Sequence, residues 1–164
     1  MNPLSSGVPE IPTEALWGCA FEVAMVSNVK QSNKIITPEA MGNQIAAALS
    51  LVTGISMLVI RKKSYMWPTE IKIVKRTGYA EEIMYANGLR SGDSVLLVDL
   101  IIATGGVYVA IIKKLLSSGI KLADAVSVIE RVEFEGVKRV EQETGVKVKT
   151  LIKLRLKDGK PSIE

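Results

Sequence analysis

The sequence predicts an α/β fold: an open, mostly parallel sheet with helices on both faces, built as one domain over residues 1–164. Three observations carry that expectation. Residues 34–61 read as strand, helix and strand, a βαβ unit whose helix stops at Gly54. Residues 94–129 repeat the order, with an apolar strand, a Gly-Gly turn, a helix and another strand. Finally, a polar group follows each of four predicted strands: Thr37-Pro38-Glu39, Arg61-Lys62-Lys63, Asp99 and Glu130-Arg131. Right-handed crossovers put all four at one sheet edge, where open parallel sheets bind ligands.

Element by element, residues 1–12 are rich in Pro, Ser and Gly and predict an irregular arm. Pro12-Thr13-Glu14 opens a helix over about 13–27. A short strand at 34–37, an alanine-rich helix at 43–54 and a β-rich run in "SMLVIRKK" follow. Two alternating stretches, 70–75 and 82–87, are joined by "RTGYA" and predict a hairpin or long flap within 64–90. The parallel pattern then resumes with a strand at 94–99, a turn at 103–106, a helix over about 107–118 and a strand over about 123–129. A charged helix over about 135–143 and the alternating "VKVKTLIKLRL" complete the chain.

Composition narrows the function. Hydrophobic residues make up 48% and charged residues 23%, which excludes a disordered chain. The net charge of +4 comes from lysines and arginines interleaved with acids, so nucleic acid is not the expected partner; a phosphorylated small molecule suits the same bias. The lone Cys19 permits no intramolecular disulfide and fits a reducing cytoplasm. The apolar stretches 44–60 and 94–116 are broken by Ser50, Thr53, Gly54 and Ser56, and by Asp99 and Gly105-Gly106, so no spanning helix is expected. The N-terminus lacks a basic start followed by an apolar run, so no signal peptide is expected. With no histidine and one cysteine, the usual soft-metal sites are out of reach.

The third strand is the most informative. Ala103-Thr104-Gly105-Gly106 lies between a buried strand and a helix start. Glycines there permit close backbone approach and positive φ, and the free N–H groups of the helix end attract an anion. A bare Gly-Gly turn without a ligand explains the turn alone equally well. The spacing matches neither the nucleotide-triphosphatase phosphate loop nor the dinucleotide fingerprint. Trp17, Trp67 and Cys19 are expected to serve packing, with Trp67 also able to cover a ligand from the flap, and Lys113-Lys114 and Lys138-Arg139 to be solvated helix faces.

As an ensemble the motifs are familiar. "VLLVDLIIATGG" resembles the ribose-phosphate signature of the type I phosphoribosyltransferases. "KIITPEAMGNQIAAALSLVTGISMLVIRKKSY", "KRTGYAEEIMYANGL" and "EQETGVKVKTLIKL" resemble, in order, the first βαβ unit, the flap and the C-terminal region of the archaeal hypoxanthine/guanine branch. The resemblance covers nearly the whole chain. It implies transfer of phosphoribosyl from phosphoribosyl pyrophosphate to a purine base (hypoxanthine, guanine or adenine), with Mg2+ and commonly as a homodimer. It places Asp99 at the ribose hydroxyls, and at the metal indirectly through substrate. Ala103, Thr104, Gly105 and Gly106 would hold the 5-phosphate, and Glu39, Ala40, Met41 and Gly42 with Arg61 and Lys62 would border the pyrophosphate. Lys75, Arg76, Thr77 and Tyr79 would lie on the flap, and Glu130 and Arg131 near the base. A small hood would draw on residues 1–30 and 130–164.

Two departures stand out. Leu100 replaces the signature's second acid, and Val107 replaces the threonine after Gly-Gly. The hydrogen bonds those groups would make are together worth about 2–4.5 kcal/mol. The alternative they favour is a non-catalytic relative that binds a phosphoribosyl compound or nucleotide and regulates another process.

Overall fold

The computed structural model of the chain describes residues 10–76, 81–157 and 160–164. Helix α1 (Thr13–Val26) leads into β1 (Lys34–Pro38), α2 (Asn43–Thr53) and β2 (Met57–Ile60). A hairpin of β3 (Ile71–Arg76) and β4 (Glu81–Ala86) follows, then β5 (Ser94–Ile102), α3 (Gly106–Ser117), β6 (Lys121–Arg131), α4 (Gly136–Thr144), β7 (Lys149–Lys157) and β8 (Lys160–Ile163). The main sheet runs in the order β2-β1-β5-β6-β7-β8, parallel throughout except for β8, while β3 and β4 pair only with each other as strands.

The central strand β5 shows why the sheet forms. Val95, Leu96, Leu97 and Val98 are all fully buried, the continuous apolar run of a strand covered on both faces. Side chains alternate across a strand. Leu96, Val98 and Leu100 therefore enter a core with α1 and α2, shared with Ala20, Ile45 and Leu49. Val95 and Leu97 enter the opposite core with α3, α4 and the hairpin, shared with Ile111, Val140 and Ile73. Helix α2 ends where Gly54 adopts φ 71° and donates its N–H to Ser50, a left-handed stop that glycine adopts without a Cβ clash.

The amino edge of the sheet is fastened by one buried acid. Asp93 accepts from Lys34 Nζ at 2.6 Å, from the Arg90 N–H at 2.8 Å and from Asn33 Nδ2 at 3.1 Å. Burial alone would raise its carboxyl, but these donors and the Lys34 charge outweigh it and hold the group below the usual carboxylate range. The result is a knot joining the starts of β1 and β5.

Several expectations need correction. β5 continues three residues past Asp99, because Ile101 and Ile102 keep pairing with Ile129 and Glu130 of β6. β6 likewise runs on through Glu130 and Arg131, so these residues lie inside a strand rather than after it. The last long strand begins at Lys149, and β8 pairs antiparallel with it, an edge strand that the sequence pattern did not single out. Trp17 and Trp67 are 45% and 62% exposed, so neither is a core residue. Thr77 and Tyr79 lie outside the described residues. Among the described residues no helix is long and apolar enough to cross a membrane.

Candidate active site

The carboxyl ends of β1 and β5 open onto a cavity of about 220 Å³ lined by Glu39, Ala40, Met41, Lys62, Glu82, Asp99, Ala103, Thr104, Gly105, Gly106 and their apolar neighbours. Four separated stretches of sequence thus meet there, three at the carboxyl edge of the parallel sheet and one from the β3–β4 hairpin.

Its anion-binding end is the start of α3. Gly105 precedes the helix at φ 74°, a conformation that turns the chain from β5 into α3. The opening N–H groups of a helix have no partner within it and carry its positive dipole end. Behind this turn the backbones of two segments touch. A methyl on Gly136 would lie 1.9 Å from the Ala103 carbonyl oxygen, and one on Gly105 would lie 2.5 Å from the Gly136 carbonyl oxygen. Helix α4 therefore braces the loop from below, and Arg139 Nη1 adds a long 3.4 Å hydrogen bond to the Thr104 carbonyl. The role of Gly136 was not legible from local sequence, since it depends on a neighbour more than thirty positions away.

Asp99 stands at the cavity floor. One of its carboxylate oxygens accepts the Leu100 N–H at 2.7 Å, and no cation pairs with it among the described residues. Desolvation by the surrounding protein pushes it up to about 7, against a lesser lowering by the Leu100 N–H. Gly42 permits this placement: a methyl there would lie 2.1 Å from Thr37 Oγ1 and 2.9 Å from Asp99 Oδ1. Tyr108, buried beside the pocket, donates to the Val126 carbonyl at 2.9 Å. Burial and then the Asp99 charge keep its hydroxyl well above its ordinary range, so it stays neutral.

The basic wall is organised by Glu82, which sequence reasoning missed because alternation does not say which face of a hairpin meets the site. Its two oxygens take Lys62 Nζ and Lys75 Nζ, each at 2.9 Å. Both lysines hold its carboxyl below the usual range. Lys75 also reaches the anion end, its Cε 3.4 Å from where a Gly106 methyl would sit. Glu39 carries two duties, accepting the Lys62 N–H at 2.6 Å and pairing with Arg61 Nε at 2.9 Å. Arg61 is thereby held behind Glu39 and does not line the cavity.

Arg76 pairs with Glu81 at 3.2 Å on the hairpin and stays outside the cavity. Glu130 and Arg131 also stay outside it. Glu130 accepts from Thr150 Oγ1 at 3.2 Å, while Arg131 pairs with Glu133 and lies over the Phe134 ring at 5.3 Å. The reason is the extra length of β6, which directs both side chains to its own neighbours.

Leu100 has a clear structural reason. It is fully buried among Leu96, Val98 and Val128 under α1 and α2, on the far side of the sheet from Asp99. An acid at this position of this chain would enter an aliphatic core and not the cavity. Val107, by contrast, does line the cavity, so its missing hydroxyl is a real loss of one neutral donor there.

No protein-family model matches the chain. The chain is 40% identical over 160 residues to a hypoxanthine/guanine phosphoribosyltransferase of Methanocaldococcus sp. (strain FS406-22), covering 98% of this chain and 81% of that one. It is 42% identical over 160 residues to the protein of the same name from Methanotorris igneus, covering 98% and 86%. Among solved structures, adenine phosphoribosyltransferase from Leishmania tarentolae superimposes with TM-score 0.75 at 18% identity, over 87% of this chain and 72% of that one. The Giardia lamblia enzyme complexed with 9-deazaadenine gives TM-score 0.71 at 20% identity, over 92% and 82%. The structural likeness carries the fold, and the near-full-length identity carries the conclusion: this chain belongs to the hypoxanthine/guanine phosphoribosyltransferase family.

Proposed function

We propose that the cavity takes phosphoribosyl pyrophosphate and a purine base and joins them into a nucleotide, releasing pyrophosphate. The observation that carries this reading is the meeting of the Ala103–Gly106 helix-start turn with a cation-free carboxylate, Asp99, in one cavity walled by Lys62. The turn's N–H groups and the Thr104 hydroxyl hold the 5-phosphate, Asp99 receives the ribose hydroxyls, and Lys62 faces the pyrophosphate, with Arg61 supporting Glu39 behind it.

The chemistry then asks for placement more than for reactive side chains. The bond from the ribose anomeric carbon to pyrophosphate breaks with its electron pair leaving on the pyrophosphate oxygen. A ring nitrogen of the base forms the new bond, and its proton departs to solvent or to a nearby acceptor. The protein holds the two reactants in line and neutralises the leaving charge. The β3–β4 hairpin carrying Lys75 stands over this end and is placed to exclude water.

Magnesium belongs to this reading as part of the substrate. It favours oxygen ligands, retains water and takes one or two carboxylates with substrate phosphates. Glu39 and Glu82 are already paired with cations, whereas Asp99 faces the cavity without one, so Asp99 is the carboxylate that would meet the ion, indirectly through the substrate whose ribose it holds. When bound, the ion neutralises part of the pyrophosphate charge. We place the protein in the cytoplasm, in keeping with its lone thiol, and as a homodimer. The stripe of Trp17, Phe21 and Met25, 45%, 53% and 80% exposed along one face of α1, is the surface that such a partner would cover. Light scattering on wild type and Phe21→Lys tests the dimer; equal masses for both refute this surface.

The test of the activity is nucleotide formation, followed by chromatography, from Mg2+, phosphoribosyl pyrophosphate and hypoxanthine, guanine, adenine or xanthine supplied singly. Turnover with hypoxanthine or guanine is expected. No product from any base, at protein concentrations that would reveal a thousandfold-impaired enzyme, overturns the reading in favour of a binding-only relative.

A further inference from the structure

A second concavity, larger than the first at about 750 Å³, lies between strand β3 and helix α3. Among the described residues Lys72, Lys75, Arg76, Lys113, Lys114 and Arg139 line it, against the single carboxylate of Glu143. Its floor is small and apolar, with Val74, Val109 and Ala110, so a ligand can approach the helix closely. It begins at Gly106, beside the phosphate-binding turn, and extends along α3 to Ser117. Eleven steps at about 1.5 Å each make a trough of roughly 16 Å.

The charge in this trough is only partly spent on internal pairing: four of its six cations have carboxylate partners and two do not. Lys75 and Arg76 have the hairpin acids Glu82 and Glu81, and Glu143 serves both Lys113 and Arg139 at 2.8 Å. Lys72 and Lys114 have no carboxylate partner among the described residues. The donors to Glu143 hold its carboxyl below the usual range, so it stays charged and stands where an external anion would sit. Among the described residues no aromatic side chain lines the trough, so those residues offer none of the stacking platforms that single-stranded nucleic acid uses. An elongated, basic trough with no stacking surface among its described residues fits a linear polyanion.

We propose that this trough is a second anion site, which takes a chain of three or more linked phosphates. The chain is either free or carried on a nucleoside, and it lies along α3 with Lys72, Lys113 and Lys114 as its main contacts. Because β3 forms one wall and carries Lys75, an occupant also engages the hairpin that overhangs the first cavity.

The inference goes beyond the transferase reading and is tested without turnover. Titration calorimetry at low salt measures inorganic tripolyphosphate, and then a nucleoside triphosphate, binding to wild type with and without saturating ribose 5-phosphate, which occupies the first cavity. Binding that persists beside ribose 5-phosphate is expected. The Lys72→Gln/Lys113→Gln/Lys114→Gln variant should bind tripolyphosphate roughly tenfold more weakly with its ribose 5-phosphate affinity and melting temperature unchanged. Glu143→Gln, which removes the internal competitor, should bind tripolyphosphate more tightly. A nucleoside triphosphate that binds no better than tripolyphosphate assigns the site to the phosphate chain alone, whereas tighter binding assigns it to the nucleotide. Complete displacement by ribose 5-phosphate, or equal affinities in wild type and the triple variant, overturns the proposal.

Discussion

Replacing Asp99 with asparagine separates what the carboxylate does for the site from what it costs the fold. Burial raises this group from its ordinary 3.8 to about 7. A gap of about three units at about 1.4 kcal/mol per unit amounts to roughly 4 kcal/mol. That is an upper bound, because one side of the carboxyl faces the open cavity and its water screens the charge. The sign follows from proton binding: between those two values the folded chain holds the proton and the unfolded chain does not. Stability from this group is therefore complete below about pH 4, declines as pH rises and is lost above about pH 7. Asparagine cannot ionise, so Asp99→Asn removes that decline. In guanidinium unfolding from pH 4 to pH 8, the wild-type curve should fall relative to the variant by up to about 4 kcal/mol, with the variant the more stable at pH 8. The same substitution removes charge-assisted contacts to the ribose, worth about 1.5–3 kcal/mol, and should lower kcat/KM about ten- to a hundredfold. Parallel stability curves for the two proteins would show that Asp99 is not desolvated and would sink the reasoning.

Three further substitutions probe other parts of the site. Leu100→Asp restores the signature's second acid but buries a charge among aliphatic side chains; it should destabilise by about 3–5 kcal/mol without raising turnover, and a more active variant of unchanged melting temperature contradicts the packing assignment. Gly136→Ala forces the 103–106 turn to shift, so ribose 5-phosphate affinity should drop alongside a loss of about 1–3 kcal/mol in stability, both measurable by calorimetry. Lys62→Gln should raise KM for phosphoribosyl pyrophosphate about tenfold while leaving ribose 5-phosphate binding in place; equal losses for both ligands would remove Lys62 from the pyrophosphate end.

How far the sequence reaches depends on the range of the signal. Asp99 and the Ala103–Gly106 turn were readable because a lone acid and two glycines interrupt a run that is otherwise apolar for packing reasons. The order of strands and helices followed from periodicity and from stops such as Gly54. Glu82 and Gly136 were not readable, since each matters through a partner brought up by tertiary structure: Lys62 for one, the Ala103 carbonyl for the other. At Glu130 and Arg131 it is the strand end that was misplaced, for a related reason. Their polarity marks a strand end in sequence, yet β6 keeps pairing with β7 through Arg131. Leu100 looked like a lost catalytic contact until its face of β5 was known.

The Asp93 knot at the far edge has an evolutionary consequence. It ties β1 to β5 at the ends of those strands opposite to Asp99 and Glu39. Hydrogen exchange at that end should be slower than around the open cavity. Substitutions that retune ligand choice at the carboxyl edge can therefore accumulate without loosening the clasp, so specificity and robustness are free to diverge along different routes.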